Sequence, residues 1–219
     1  MSSLVLATGF ALLVAAGGDG LFRRVAPAPW VVEARPAKGS LLVAERRLPD
    51  PNFARSVVLL LAYGDGGAMG IIVDRPTRVR LATVLPEIDA LRERPDTVWV
   101  GGPVLRDALL VLVRERTPPK GGERIFDDVH LFASRDAVRR VLARGVPRER
   151  LRAFAGHAGW APGQLDAEIA RGDWLVVPAA ADLVFSAEPD AVWPRLIERA
   201  ERIMTHAPRR PGGTRHDPS

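Results

Sequence analysis

The 219-residue chain contains no cysteine, which removes disulfides, thiolate nucleophiles and cysteine-based metal sites from consideration. Lysine is nearly missing as well: Lys38 and Lys120 are the only two, and every other basic residue is arginine. Histidine occurs at positions 130, 157, 206 and 216 with no spacing that suits a metal, so neither a metal site nor a cofactor is expected. The short signatures of common enzymes are also absent: there is no G-x-x-x-x-G-K-[ST], no G-x-S-x-G and no H-E-x-x-H. No uncharged apolar stretch reaches the roughly 20 residues that a membrane-spanning helix requires. Leu4 to Ala16 comes nearest, with no charged side chain. It makes an N-terminal anchor or signal the one route to a membrane, although the usual basic residues do not precede it.

What the chain does have is ample apolar material, 47% of its residues, and a net charge of +5. The excess charge sits at the ends. Between Gly39 and Ala207 there are 24 basic against 23 acidic residues, so a general polyanion-binding surface is not indicated. Composition divides the chain into an extension over 1–38 (the apolar run and a proline-rich connector), a folded domain over 39–207, and a tail over 208–219 rich in proline, glycine and arginine, expected to be disordered.

Within the domain, Val57 to Tyr63 and Ile71 to Val73 flank the turn Gly64-Asp65-Gly66-Gly67, a strong hairpin signal. Pro76 is expected to stop the ladder. Gly39 to Arg47, Thr97 to Val100, Ala108 to Val113, Ile125 to Ala133, Leu151 to Ala155 and Trp174 to Val177 read as further strands. Helical spacing appears over Leu81 to Arg94, after the N-cap Ser134, from Pro162 to Ala170, and from Pro189 to Thr205. Strands outnumber helices without regular alternation. The fold class is α+β, a single domain with a mixed, strongly bent sheet flanked by helices.

Four stretches in order, Asp50-Pro-Asn-Phe-Ala-Arg-Ser with Gly67-Ala-Met-Gly-Ile-Ile-Val-Asp-Arg-Pro-Thr, Gly101-Gly-Pro-Val, Ala158-Gly-Trp-Ala-Pro-Gly-Gln-Leu and Gly172-Asp-Trp-Leu, resemble the YqgE/AlgH family. The resemblance spans roughly Gly39 to Phe185. It implies a bacterial, cytoplasmic α+β protein with a barrel-like sheet, from a family often labelled as transcriptional regulators. No catalytic residues carry over with it. Two departures stand out: Asp74 occupies a position where asparagine is expected before Arg-Pro, and residues 1–38 have no counterpart.

The candidate binding residues are Asp50, Asn52, Arg55, Asp74, Arg75, Gly101, Gly102, His157, Trp160 and Gln164. His157 lies between glycines that let a ligand approach the backbone, with Trp160 as a pocket wall, but no nucleophile is close in sequence. The plainer reading makes Phe53, Trp160 and Trp174 buried anchors, and Asp50, Asp74 and Arg75 charges that pin turns. Seven arginines against two acidic residues between Ser134 and Ala155 offer a nucleic-acid face through Arg139, Arg140, Arg144 and Arg148. A solvated arginine-rich surface explains them more simply, because the segment runs on into a strand and leaves no second recognition helix. The function expected is binding or regulation of an unassigned protein or small molecule without catalysis. Nucleic-acid binding and an enzyme built around His157 are the alternatives.

Overall fold

Ser40–Ala44 (β1) carries five residues that are all buried, and Val57–Gly64 (β2) is buried through Leu61 before its last three residues emerge into solvent. Both strands are β-branched and aliphatic on both faces because both faces are covered. β2 turns into Gly67–Ile72 (β3), and Gly67 takes φ +107 at the turn, a conformation open to glycine. A Cβ at Gly67 would lie 2.3 Å from the Trp160 carbonyl oxygen, so this glycine lets the hairpin approach a second part of the sheet.

The computed structural model describes residues 35–117 and 120–206. After β3 come Pro76–Arg80 (β4), Leu81–Val84 (α1), Thr97–Val100 (β5) and Val104–Arg114 (β6). The hairpin Glu123–Phe126 (β7) and Val129–Phe132 (β8) leads into Arg135–Ala143 (α2), then Leu151–Trp160 (β9) and Gln164–Arg171 (α3). Trp174–Pro178 (β10), Ala181–Val184 (α4) and Val192–His206 (α5) complete the order. The main path of the sheet runs β10-β1-β2-β3-β9-β6-β8-β7, with β4 paired to β5 and β5 paired to β9. β9 is the junction. Its C-terminal end pairs with β3, its N-terminal half runs parallel to β5, and its other edge carries β6. The other pairings are antiparallel, and the sheet curls into a half-barrel, as the α+β expectation required.

Two apolar clusters hold this sheet. The larger one joins β1, β2, β3 and β10 to α5, whose Val192, Leu196, Ile197 and Ala200 recur at helical spacing on one face. The Trp193 indole donates to the Ala44 carbonyl at 2.8 Å and ties α5 to β1. The smaller cluster lies under α2, where Ala137, Val138, Val141 and Leu142 pack on Val111, Val113, Phe132 and Leu151. The Ser134 hydroxyl accepts from the Ala137 N–H and begins that helix, as its N-cap position predicts.

Three local expectations are corrected. Leu81 to Arg94 does not form one helix: α1 stops at Val84 and only a 3₁₀ turn, Asp89–Leu91, follows. Leu85 precedes Pro86 and is driven out of the helical region to φ −128, ψ 66, so the apolar spacing is met by two short pieces that bury Leu81, Ile88 and Leu91. Pro76 begins a strand instead of ending one; as the first residue of β4 it needs no ladder N–H. Ile125 to Ala133 is not one strand: it holds the end of β7, the turn and the whole of β8, reversed at Asp127 with φ +38. The apolar run 4–16 and the tail 208–219 lie outside the described residues. No helix among the described residues is long and apolar enough to cross a membrane.

Candidate functional site

The connection between β1 and β2 is held from two sides. Within it, Asp50 accepts the Asn52 N–H at 2.8 Å through Oδ1, and its carbonyl accepts from Phe53 and Ala54. From the end of β3, Arg75 donates to the carbonyls of Asn52 at 2.5 Å and Ala54 at 3.0 Å. Asp74 accepts the Val57 N–H on both oxygens, at 3.1 and 3.2 Å. It is only 8% exposed, and burial pushes its carboxyl up to about 7 against the pull of Val57 and Arg75. Arg55, held at φ +55, places its guanidinium 5.9 Å from the Trp193 ring. Asn52, Arg75 and Asp74 thus serve one turn, which fixes the position of Phe53.

Phe53 is the inner wall of a cleft of about 350 Å³ between this turn and α3. Its ring stacks on Trp160 at 6.0 Å and meets Trp174 edge-on at 5.7 Å, while the two indoles stand 79° apart at 6.1 Å. Trp160 and Trp174 are 6% and 2% exposed. Both indole N–H groups donate to the same oxygen, Oε2 of Glu168, at 2.8 and 2.9 Å. Its other oxygen accepts from Gln164 Nε2 at 2.9 Å, and Gln164 Oε1 accepts the Ala161 N–H at 3.0 Å. Gln164 and Glu168 are four residues apart in α3 and therefore stack on one face. Asp50 and the Arg171–Asp173 ion pair (2.6 Å) complete the rim. Three of the candidates are thus brought together in one cleft: Trp160 and Gln164, which are near neighbours in the chain, and the distant Asp50.

The other candidates lie elsewhere. Gly101 and Gly102 are buried where the β5–β6 connection crosses β9: Gly101 donates to the Ala155 carbonyl, and a Cβ on Gly102 would meet the His157 carbonyl carbon at 2.2 Å. His157 is half-buried opposite Val104, with no side-chain hydrogen bond to Asp50, Asp74 or any other of the described residues. In the arginine-rich segment, Arg139 pairs with Glu87 at 2.7 Å and Arg144 with Glu115 at 3.8 Å. Arg140 stays exposed on α2, and Arg148 lines a different cleft beside Trp99 and Arg152. Strand β9 follows α2 after a 3₁₀ turn, so no helix-turn-helix is formed here.

Sequence reading did not single out Glu168, which looks like one more polar residue on an exposed helix face. Its signal is its spacing from Gln164 together with two tryptophans that need acceptors for their N–H groups.

The family model described as AlgH-like matches residues 41–204. A UPF0301 protein of Rhodococcus jostii (strain RHA1) is 39% identical over 74% of this chain and 81% of its own, and one of Mycobacterium avium (strain 104) is 37% identical over 80% and 86%. Among solved structures, the AlgH protein from Pseudomonas aeruginosa, UPF0301, superposes with TM-score 0.61 at 29% identity over 76% of this chain and 88% of its own. A Corynebacterium diphtheriae protein superposes with TM-score 0.64 at 29% identity over 75% and 87%. The chain belongs to the AlgH-like, UPF0301 family.

Proposed function

We propose that the protein acts by binding, without catalysis, and that the Phe53–Trp160–Trp174 cleft receives a positively charged, donor-rich group of a partner, such as a guanidinium or ammonium side chain. The observation that carries this is the Glu168 carboxylate. One oxygen holds two indoles and the other holds Gln164, so the walls of the cleft are locked before any ligand arrives. A carboxylate committed in this way is suited to positioning and poorly suited to proton transfer. The rim adds Asp50 and Asp173 against Arg171, and Arg171 is already paired with Asp173. Asp50 uses only Oδ1 in its own turn, so Oδ2 is free of hydrogen bonds among the described residues. A regulatory role for the protein would operate through this contact.

The test is a titration of the full chain with agmatine, followed by the indole N–H resonances of Trp160 and Trp174, with acetate as the charge control. Agmatine should move both resonances. Asp50→Asn keeps the oxygen that caps Asn52 but removes the charge, and should weaken binding about tenfold, the loss of one charge-assisted hydrogen bond. If acetate shifts the resonances as much as agmatine does, or Asp50→Asn binds agmatine unchanged, the reading is wrong.

A further inference from the structure

A second cleft, of about 390 Å³, opens between the β5–β9 pair and the segment that follows α4. Its back wall is Arg152. The guanidinium lies 4.9 Å from the Trp99 ring and 5.8 Å from Phe185. Its terminal nitrogens donate to four main-chain carbonyls: Arg148 and Leu151 from Nη1, Phe185 and Ser186 from Nη2. Its Nε is buried and donates to no acceptor among the described residues. Main-chain carbonyls and ring faces orient a guanidinium, but they do not neutralise it. Among the described residues no carboxylate forms an ion pair with Arg152.

A second guanidinium adds to the positive charge at this place. Arg148, on the 3₁₀ turn just before β9, lines the same cleft without an ion pair of its own among the described residues. Burial draws the Arg152 guanidinium below its usual value and the like charge of Arg148 draws it further, while Asp96 and Glu149 pull more weakly the other way. A guanidinium nevertheless stays protonated in a protein, so the cleft lining carries two positive charges beside the carboxylates of Asp96 and Glu149. Asp96, the buried acid nearby, has both oxygens engaged by Arg94, at 2.6 and 3.3 Å. Glu149 is exposed at the rim. Trp99 supplies one more donor. The indoles of Trp160, Trp174 and Trp193 all donate to oxygen, whereas that of Trp99 has no acceptor among the described residues.

A partly desolvated, unpaired positive charge is costly, and an anion that enters beside it relieves that cost. We propose that this cleft binds a small organic anion, a carboxylate or phosphate monoester carried on a flat apolar body. The anionic head meets Arg148 and the Trp99 N–H over the field of Arg152, and the body lies against Trp99, Phe185 and Leu151. Its volume is within the usual range of ligand sites. The cleft is separate from the one walled by Phe53, and either site can fail without the other.

The experiment uses the full chain, with benzoate and phenyl phosphate as probes and benzylamine as the cationic control, all at constant ionic strength. Calorimetry gives the affinity and the Trp99 indole N–H resonance gives the location. One or both anions should bind and move the Trp99 resonance, and which of them binds assigns the head group. Arg148→Gln should weaken binding about tenfold, and Glu149→Gln should tighten it severalfold by removing an exposed acid from the rim. Arg139→Gln, whose partner Glu87 is elsewhere, should leave it unchanged. The proposal is overturned if benzylamine binds as well as the anions, if neither anion moves Trp99, or if Arg148→Gln has no effect. Arg152 itself is left intact because its four carbonyl contacts hold the fold.

Discussion

The two clefts are built from the same parts, aromatic rings around one charged side chain, and differ in what that charge is bonded to. In the cleft walled by Phe53, Trp160 and Trp174, Glu168 receives hydrogen bonds on both oxygens from three side chains. In the cleft walled by Trp99 and Phe185, Arg152 is surrounded by carbonyls and ring faces, its Nε has no partner among the described residues, and a second guanidinium stands nearby. A partly buried charge that is fully hydrogen-bonded acts as a structural tie. One that is held in place but not neutralised still has free energy to gain from a ligand. If both proposals hold, the first cleft recognises by fixed shape with a charged rim, and the second by charge.

The most direct way to break the first half of the comparison is to remove an anchor. Trp174→Ala takes away a ring that is 2% exposed and packed against two others, and leaves Glu168 one donor short. The expected loss is about 3–5 kcal/mol in chemical denaturation. A change below about 1 kcal/mol would mean that the ring does not anchor the fold.

Removing the tie itself should cost somewhat less. In Glu168→Ala the Trp160 and Trp174 N–H groups lose their shared acceptor, and an unmet buried donor costs about 1–3 kcal/mol. Some of that returns as water enters the cleft, so about 2–3 kcal/mol is expected. Glu168→Gln keeps an acceptor oxygen for the indoles and should lose about 1 kcal/mol. Equal losses in the two variants would show that bulk, and not hydrogen bonding, is what Glu168 contributes.

How much of this was legible beforehand depends on whether the partners of a residue are local. The hairpin Val57 to Ile72, the Ser134 cap and the Gly172 stop are specified by neighbours along the chain, and each appears where the sequence places it. The segment Leu81 to Arg94 misleads because apolar spacing reports which side faces the core, whereas Pro86 and the residue before it decide whether a helix can continue. The sites fare differently again. Asp50, Trp160 and Gln164 could be named singly, but their meeting point requires α3 and β10 to fold back on the Asp50–Ser56 turn. Arg152 reads as one arginine in an arginine-rich stretch. Its distinction comes from Trp99 and Phe185, which belong to another strand and to the end of α4.

Asp74 sharpens the comparison by setting a poorly satisfied carboxylate against a well satisfied one. Its oxygens share a single Val57 N–H, and burial raises its carboxyl from 3.8 to about 7. The folded protein therefore holds a proton that the unfolded chain has already released. Stability from this group is present in full below about pH 4 and is lost as the pH rises through 7, up to about 4 kcal/mol for a shift of this size. Asp74→Asn keeps an acceptor for Val57 and cannot ionise. It should raise stability by about 1–3 kcal/mol at pH 8 and by much less at pH 5, measured by denaturation at both. An equal effect at the two pH values would show that Asp74 does not titrate in this window.

The smallest effect tests the second half of the comparison most strictly. If Arg148 is held for a ligand and not for the fold, Arg148→Gln should change stability by no more than about 0.5 kcal/mol. The side chain is exposed, and it has no ion pair among the described residues. The contact residue 148 does supply to the fold, its carbonyl to Arg152 Nη1, belongs to the backbone and survives the substitution. Removing a like charge beside Arg152 also lowers the cost of burying that guanidinium, so the sign of any change should be stabilising. Added salt offers a second check. It should reduce the difference between the wild-type and variant proteins, because screening weakens the Arg148–Arg152 repulsion that the substitution removes. A loss of more than about 1 kcal/mol in Arg148→Gln would place the arginine among the structural ties with Glu168, and the contrast between the two clefts would collapse.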